Sequence, residues 1–158
     1  MTARDDFLTW VHTELREAEM ALHQGDASGR RAIWSRNEPV TVFGAWRNAL
    51  GRAEVDALFA YLEQTFSGCR SHEYEILAAD VMGDMAYTVG IEHTQATAEG
   101  EDRAYSLRVT QIYRREAGEW KVVHRHGDES PERDQAVFEN LGSPRLNPLC
   151  CNRISRDS

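Results

Sequence analysis

Cysteine is scarce in this sequence and does not organise it. The 158 residues hold three cysteines, Cys69, Cys150 and Cys151. The count is odd, two of them are adjacent in a polar tail, and no CxxC pair occurs, so neither a zinc ribbon nor a thioredoxin-type centre is supported. Adjacent cysteines rarely bridge each other because the resulting ring is strained. Reduced thiols in a cytoplasm are the simplest expectation. Long apolar runs are missing too. No stretch approaches the roughly 18 apolar residues of a membrane span, and the opening "MTARDDFLTWVHTELREAE" lacks the apolar core of a signal peptide. Basic runs are also absent. At a net charge of −8 the chain is a poor partner for nucleic acid or an anionic membrane.

What is present is an ordinary globular composition, 41% hydrophobic and 28% charged, in a length that fits one domain with a core of its own. Residues 5–24 carry Phe7, Val11, Leu15, Ala18 and Leu22 at three- and four-residue steps, which predicts an amphipathic helix. Thr2 with Asp5 forms a capping-box pattern at its start, and Gly25 supplies the stop. Asp26 can cap a short second helix running to about Trp34. The stretch "EPVTVFGAW" (38–46) reads as a short β segment with a bend at Gly44. Residues 51–66 predict a further helix with Val55, Leu58, Phe59, Leu62 and Phe66 on one face and Gly68 beyond its end.

From there the pattern changes to four β-like runs, "SHEYEILAADV", "MAYTVGIEHTQATA", "RAYSLRVTQIYRR" and "EWKVVHRHGD". The breakers between them are short and contain glycine, so neighbouring strands should pair as antiparallel hairpins. Helices followed by a meander is the α+β pattern. Three of the four prolines fall in residues 129–158. That segment is expected to be a C-terminal extension (131–158), helical over 132–141 and mobile at its end.

The order of elements, together with "RVTQIYRREAGEWKVVHRHGD" (108–128) and "GDMAYTVGIEHTQ" (83–95), resembles the nuclear transport factor 2-like superfamily. Within it the sequence is similar to the SnoaL-like branch and to the association domain of calcium/calmodulin-dependent kinase. The resemblance covers about residues 5–129, with a domain expected over 1–130. It implies an α+β, cone-shaped, cystatin-like fold, in which N-terminal helices pack inside a strongly curved antiparallel sheet. It also implies an internal pocket and a homodimer formed through the outer sheet face. Superfamily members include isomerases, dehydratases, cyclases and non-catalytic binding or assembly modules, so the fold does not fix the function.

Strand alternation sorts the candidate residues by face. Tyr87, Val89, Ile91 and His93 share one face of their strand, opposite Ala86, Thr88, Gly90 and Glu92. Val109, Gln111 and Tyr113 oppose Arg108, Thr110 and Ile112. In the last run Trp120, Val122, His124, His126 and Asp128 alternate with Lys121, Val123 and Arg125. The pocket arginines of the kinase association domains match His93, Gln111 and Gly127 in this sequence, none of which is arginine. The match implies a pocket face with Tyr87, His93, Gln111, Tyr113 and Arg125, and it places Glu92 on the outer face with Arg108, Thr110 and the two histidines of the HxH motif. Arg125 could replace part of the missing charge.

His124, His126 and Asp128 have the chemistry of metal ligands, yet only His93 could join them, and it lies on the opposite face. The expectation is therefore no metal and no cofactor. His93 is the candidate general acid or base, because imidazole titrates near neutral pH. Ketosteroid isomerase, a member of the same superfamily, uses an aspartate base with tyrosine and protonated aspartic acid as donors. It carries that base in the early β segment, and "VTVFGAW" has no carboxylate there. Trp34, Phe43 and Trp46 are candidates for an aromatic pocket wall. Two functions stay open. One is a domain binding a small, mostly apolar organic molecule. The other is a lyase, isomerase or hydrolase acting through His93, with Tyr113, Gln111 or Arg125 polarising a carbonyl.

Overall fold

The computed structural model describes residues 1–131; the expected helix over 132–141, Cys150 and Cys151 lie outside the described residues. The N-terminal helix is continuous but not uniform. An α-helix α1 (Ala3–Trp10) passes through one π turn (Val11–Leu15) into α2 (Arg16–His23). The capping box at Thr2 and Asp5 forms as expected. The stripe Phe7, Val11, Leu15, Ala18 and Leu22 is buried along its length. After α3 (Ser28–Ile33) come two very short strands, β1 (Thr41–Phe43) and β2 (Asn48–Leu50), then α4 (Arg52–Thr65). The sequence pattern suggested one β segment here. Residues 44–47 instead form a tight turn, closed by the Gly44 N–H donating to the Arg47 carbonyl at 2.8 Å, and the chain doubles back. Phe66, expected on the helix face, is extended and begins β3.

The meander consists of β3 (Phe66–Met82), β4 (Met85–Ala98), β5 (Glu101–Glu116) and β6 (Glu119–Asp128). The full sheet runs β2-β1-β6-β5-β4-β3, antiparallel throughout except where β1 lies parallel to β6. This is the α+β arrangement of helices and a bent antiparallel meander that the resemblance implied.

Three register shifts bend the sheet around the helices. Two lie in β3, between Ser67 and Ser71 and between Ile76 and Ala78. The third lies where β5 meets β6: Ile112 pairs with His124 but Tyr113 pairs with Val122, which leaves Val123 as the extra residue. Bulges of this kind increase local twist and bend the strand. Gly90 sits opposite the second shift. A Cβ there would lie 2.1 Å from the Glu75 carbonyl oxygen and 2.8 Å from the Tyr74 ring, so the close approach needs glycine.

The inner face of β4 carries Ala86, Thr88, Gly90, Glu92, Thr94, Ala96 and Ala98, and the outer face carries Tyr87, Val89 and His93. The small inward side chains leave room for larger neighbours: Ala96 and Ala98 pack with Phe66, and Ala86 joins the core that includes Phe7 and Tyr113. The core then fills with aromatics: Phe7 meets Tyr113 at 5.0 Å and Trp120 at 5.1 Å, both edge-on. In β6 the bulge breaks simple alternation. Trp120, Val122, Arg125 and Gly127 are buried, while His124, His126 and Asp128 belong to the other face.

Replacing Gly90 by alanine is expected to destabilise the fold by at least about 2 kcal/mol, because a backbone carbonyl must move to admit the methyl group. The midpoint of urea unfolding, compared between wild type and Gly90→Ala, measures this.

Candidate functional site

Between α2, α4, the 44–47 turn and the inner faces of β5 and β6 lies a cavity of about 60 Å³. Its walls are apolar, with Leu22, Val42, Leu58, Leu62, Phe66 and Leu107, and Trp46 stands at the rim. Its polar lining is His23, Arg30, Glu92, Tyr105 and Arg125, with Arg47 and Tyr61 beside the 44–47 turn.

The two buried arginines, Arg125 and Arg30, each arrive with a carboxylate. The Arg125 guanidinium donates two N–H bonds to Glu92, both at 2.7 Å. The second pair joins Arg30 to Glu19, with Nε donating to Oε1 at 3.1 Å and a second, short contact from NH2 to Oε2. All four residues are buried. Burial by itself would raise both carboxyl groups; the adjoining Arg125 overrides this for Glu92 and Arg30 for Glu19, so both are held below the ordinary range. The Arg30 guanidinium also stacks over the Phe59 ring, 5.4 Å from its centre.

Behind Arg125 runs a hydrogen-bond chain with one direction. Gln111 accepts a long 3.4 Å contact from Arg125 and donates to the Tyr113 hydroxyl at 2.7 Å. Tyr113 meets Thr88 at 2.8 Å, Thr88 meets Tyr74 at 2.9 Å, and the Tyr74 hydroxyl donates to the Val109 carbonyl at 3.2 Å. A carbonyl only accepts, so each hydroxyl upstream must donate toward it. Among the described residues no buried side-chain nitrogen or oxygen lacks a partner.

His23 sits on the other side of the cavity. Its Nδ1 lies 2.6 Å from the Glu19 backbone carbonyl and its Nε2 lies 3.1 Å from the Tyr105 hydroxyl. The carbonyl fixes the proton on Nδ1, so Nε2 is left as the acceptor and Tyr105 donates to it. Burial lowers the His23 pKa from 6.5 to about 4, so the ring is neutral at pH 7. Burial also raises the Tyr105 phenol above its usual range. His72 stacks on His23 at 5.1 Å and meets Thr94 at 3.0 Å through Nδ1.

Several expected site residues lie elsewhere. His93 is on the outer face, about half exposed, with Nδ1 2.7 Å from Ser106 Oγ and Nε2 3.2 Å from Glu75. The reason is register: Gln111 pairs with Thr88, so the residue two steps further along on the same face is Gly90 and the next is Glu92, not His93. Glu92, expected outside, is therefore the inward group. Tyr87 shares the outer face with His93. Phe43 lies outside as well, edge-on to His124 and His126 at 5.5 and 5.6 Å. Trp34 is core, packed against Phe59 at 5.3 Å. Gln111 and Tyr113 face inward but stand behind the cavity in the hydrogen-bond chain. Arg125 and Trp46 border it. His124 and His126 occupy the outer face, and among the described residues no three His, Cys, Asp or Glu side chains converge as metal ligands would.

Glu19, His23, Arg30, Glu92 and Tyr105 were not among the site residues expected from the sequence. A signal existed for two of them. Glu19 and His23 are one helical turn apart and directly follow Ala18 and Leu22 on the buried stripe, where polar side chains need a reason.

The chain belongs to the SnoaL-like domain family, whose pattern matches residues 11–128. No curated protein matches the sequence. Solved structures with the same fold include a cystatin-like-fold protein from Caulobacter vibrioides, 15% identical with a TM-score of 0.65, covering 90% of this chain and 100% of that one. An NTF2-like protein from Cytophaga hutchinsonii is 11% identical with a TM-score of 0.64, covering 82% and 100%. A ketosteroid isomerase-like protein from Erwinia carotovora atroseptica is 17% identical with a TM-score of 0.63, covering 80% and 99%. At these identities the likeness is one of fold.

The two kinds of buried group give different acid sensitivities. Between pH 6.5 and about 4 the unfolded chain binds a proton that folded His23 refuses, so stability falls as pH falls through that window, by up to about 3 kcal/mol from this group. Glu92 and Glu19 contribute stability above 4.5 that is lost only as pH falls below it. Urea midpoints measured from pH 7 to pH 4 should therefore decline in wild type and decline less in His23→Gln.

Proposed function

We propose that this SnoaL-like chain binds a small, uncharged, largely apolar organic molecule in the cavity behind the 44–47 turn. The carrying observation is the pairing of the two buried cavity arginines with buried glutamates; the third, Arg47, lies over the Tyr61 ring. Arg30 and Arg125 are already matched in charge and hydrogen bonds, so an anionic ligand would have to compete with two carboxylates that cannot move into water. An uncharged ligand meets no such competition. It gains from the apolar walls and finds hydrogen-bond partners in Tyr105, His23 and the edges of the ion pairs.

The cavity is small for this role. About 60 Å³ holds only a few waters at roughly 10–15 Å³ each. A larger guest enters if the 44–47 turn swings outward. That turn is held by one backbone hydrogen bond, by Arg47 over the Tyr61 ring at 4.2 Å, and by the edge contact of Trp46 with Tyr105 at 6.1 Å. None of these is a large barrier.

The same reading includes a homodimer. On the outer face of β4, Met85, Tyr87 and Val89 leave between about a third and two fifths of their surface in water, and a second copy of the sheet would cover them.

Two outcomes check this reading. Thermal shift and calorimetry with matched pairs of compounds should show the neutral member binding at least about tenfold more tightly than its carboxylate analogue, and Leu62→Trp, which fills the cavity, should abolish binding without unfolding the chain. A preference for the carboxylate would contradict it. Sedimentation velocity should show a dimer, converted to monomer by the double substitution Tyr87→Glu and Val89→Glu.

A further inference from the structure

We propose that Ser106, His93 and Glu75 form a nucleophilic triad on the outer face of the sheet, which takes the acyl group from a short, uncharged ester and passes it to water. The site is separate from the cavity and does not rest on the binding reading above.

Register brings the three side chains together. Ser106 on β5 and His93 on β4 are cross-strand partners, and Glu75 on β3 pairs with Ile91, one diagonal step from His93. All three therefore share the outer face. Ser106 Oγ lies 2.7 Å from His93 Nδ1, and His93 Nε2 lies 3.2 Å from Glu75. A carboxylate only accepts, so the ring proton sits on Nε2 and the Nδ1 lone pair faces the serine hydroxyl. Hydroxyl to base and base to carboxylate is the hydrogen-bond order of an activated nucleophile.

The hydroxyl borders a depression of about 510 Å³, lined also by His93, Gln95, Ala104, Ser71 and Glu129. Small side chains at Ser71, Ala104 and Ser106 leave that space on the sheet. Gln95 pairs with Ala104 and is the diagonal neighbour of Ser106 on the same face, so its amide N–H groups are placed to hold a developing oxyanion. Among the described residues no lysine or arginine lines the depression, whereas Glu129 does. An acyl group carrying a carboxylate is repelled there and an uncharged one is not. Met85, Tyr87 and Val89, the patch assigned to the dimer, lie toward the other end of β4. Val89 is about 13 Å from His93 at roughly 3.3 Å per residue, so one face accommodates both features.

In the first step Ser106 Oγ attacks the ester carbonyl carbon and its proton passes to His93 Nδ1. The carbonyl π pair moves onto oxygen, where the Gln95 amide holds it. That pair then re-forms the carbonyl, the bond to the alcohol oxygen breaks, and the leaving alcohol takes the proton from His93. The acyl group is now on Ser106. Because His93 is about half exposed, water reaches it. His93 takes a proton from that water as it attacks, the bond to Ser106 Oγ breaks, and the serine recovers its proton from His93. Glu75 offsets the positive ring in both steps. The sum is ester plus water giving acid plus alcohol.

The test uses the full chain with 4-nitrophenyl acetate. Wild type is expected to release 4-nitrophenolate at least about 100-fold faster than free imidazole at the same concentration. Peptide mass spectrometry of an acid-quenched sample should find the acetyl group on the peptide carrying Ser106. Ser106→Ala and His93→Gln should fall to the imidazole rate or below and carry no acetyl group there. Gln95→Ala should lower kcat by about 10- to 100-fold. Glu75→Gln, at a positioning residue, should lower kcat and leave KM unchanged. His124→Ala, on the same face, should keep the wild-type rate. The four triad and amide side chains are exposed, so unchanged urea midpoints verify that the variants fold. A wild-type rate no faster than imidazole overturns the triad. So does an undiminished rate in Ser106→Ala, or an acetyl group found only on other residues.

Discussion

Removing a carboxylate or a guanidinium from water costs several kcal/mol for each ion, and this chain does so four times within one layer of side chains. Glu92 and Arg125 come from neighbouring regions of the sheet, Glu19 and Arg30 from two helices. The pairs hold those elements at fixed distances, because separating either pair leaves a buried charge uncompensated. The curvature of the sheet serves the same end. It brings Arg125 on β6 across to Glu92 on β4, over the intervening Gln111 on β5. The cavity is the space that remains between these charged contacts and the apolar stripe of the first helix.

Much of the architecture was legible in the sequence because it rests on local periodicity. The stripe from Phe7 to Leu22 needs only the spacing of apolar residues, and the three hairpins need only short breakers containing glycine. The early β segment was harder. Its two strands are three residues each, too short for alternation to speak, and their pairing depends on a turn and on β6. Phe66 looked helical because one more apolar residue fitted the face, but the strand that follows claimed it.

The site was less legible, for a different reason. Alternation divides a strand into two faces but does not say which one meets the helix. Matching His93 to a pocket arginine chose the wrong side of β4. The composition of the faces held the better clue: Ala86, Gly90, Ala96 and Ala98 are small enough for a packed inner layer, while Tyr87, Val89 and His93 leave a third or more of their surface in water. The cavity residues come from α2, α3, α4, β1, the 44–47 turn, β3, β4, β5 and β6, so their convergence is a property of the fold and not of any motif. His23 and Tyr105 are 82 residues apart, and no spacing rule connects them. The HxH stretch proved to be outer surface, and its informative residue is the arginine between the histidines.

The extra residue at Val123 has a consequence for how this strand can change over time. Before it, Trp120 and Val122 point inward; after it, Arg125 and Gly127 do. One residue deleted from β6 near this point would restore strict alternation and send either the aromatic end or the arginine end of the strand to the opposite face. Length variation in this family should therefore be absorbed at the hairpin tips, and the count of residues between Trp120 and Arg125 should be more resistant to change than their identities.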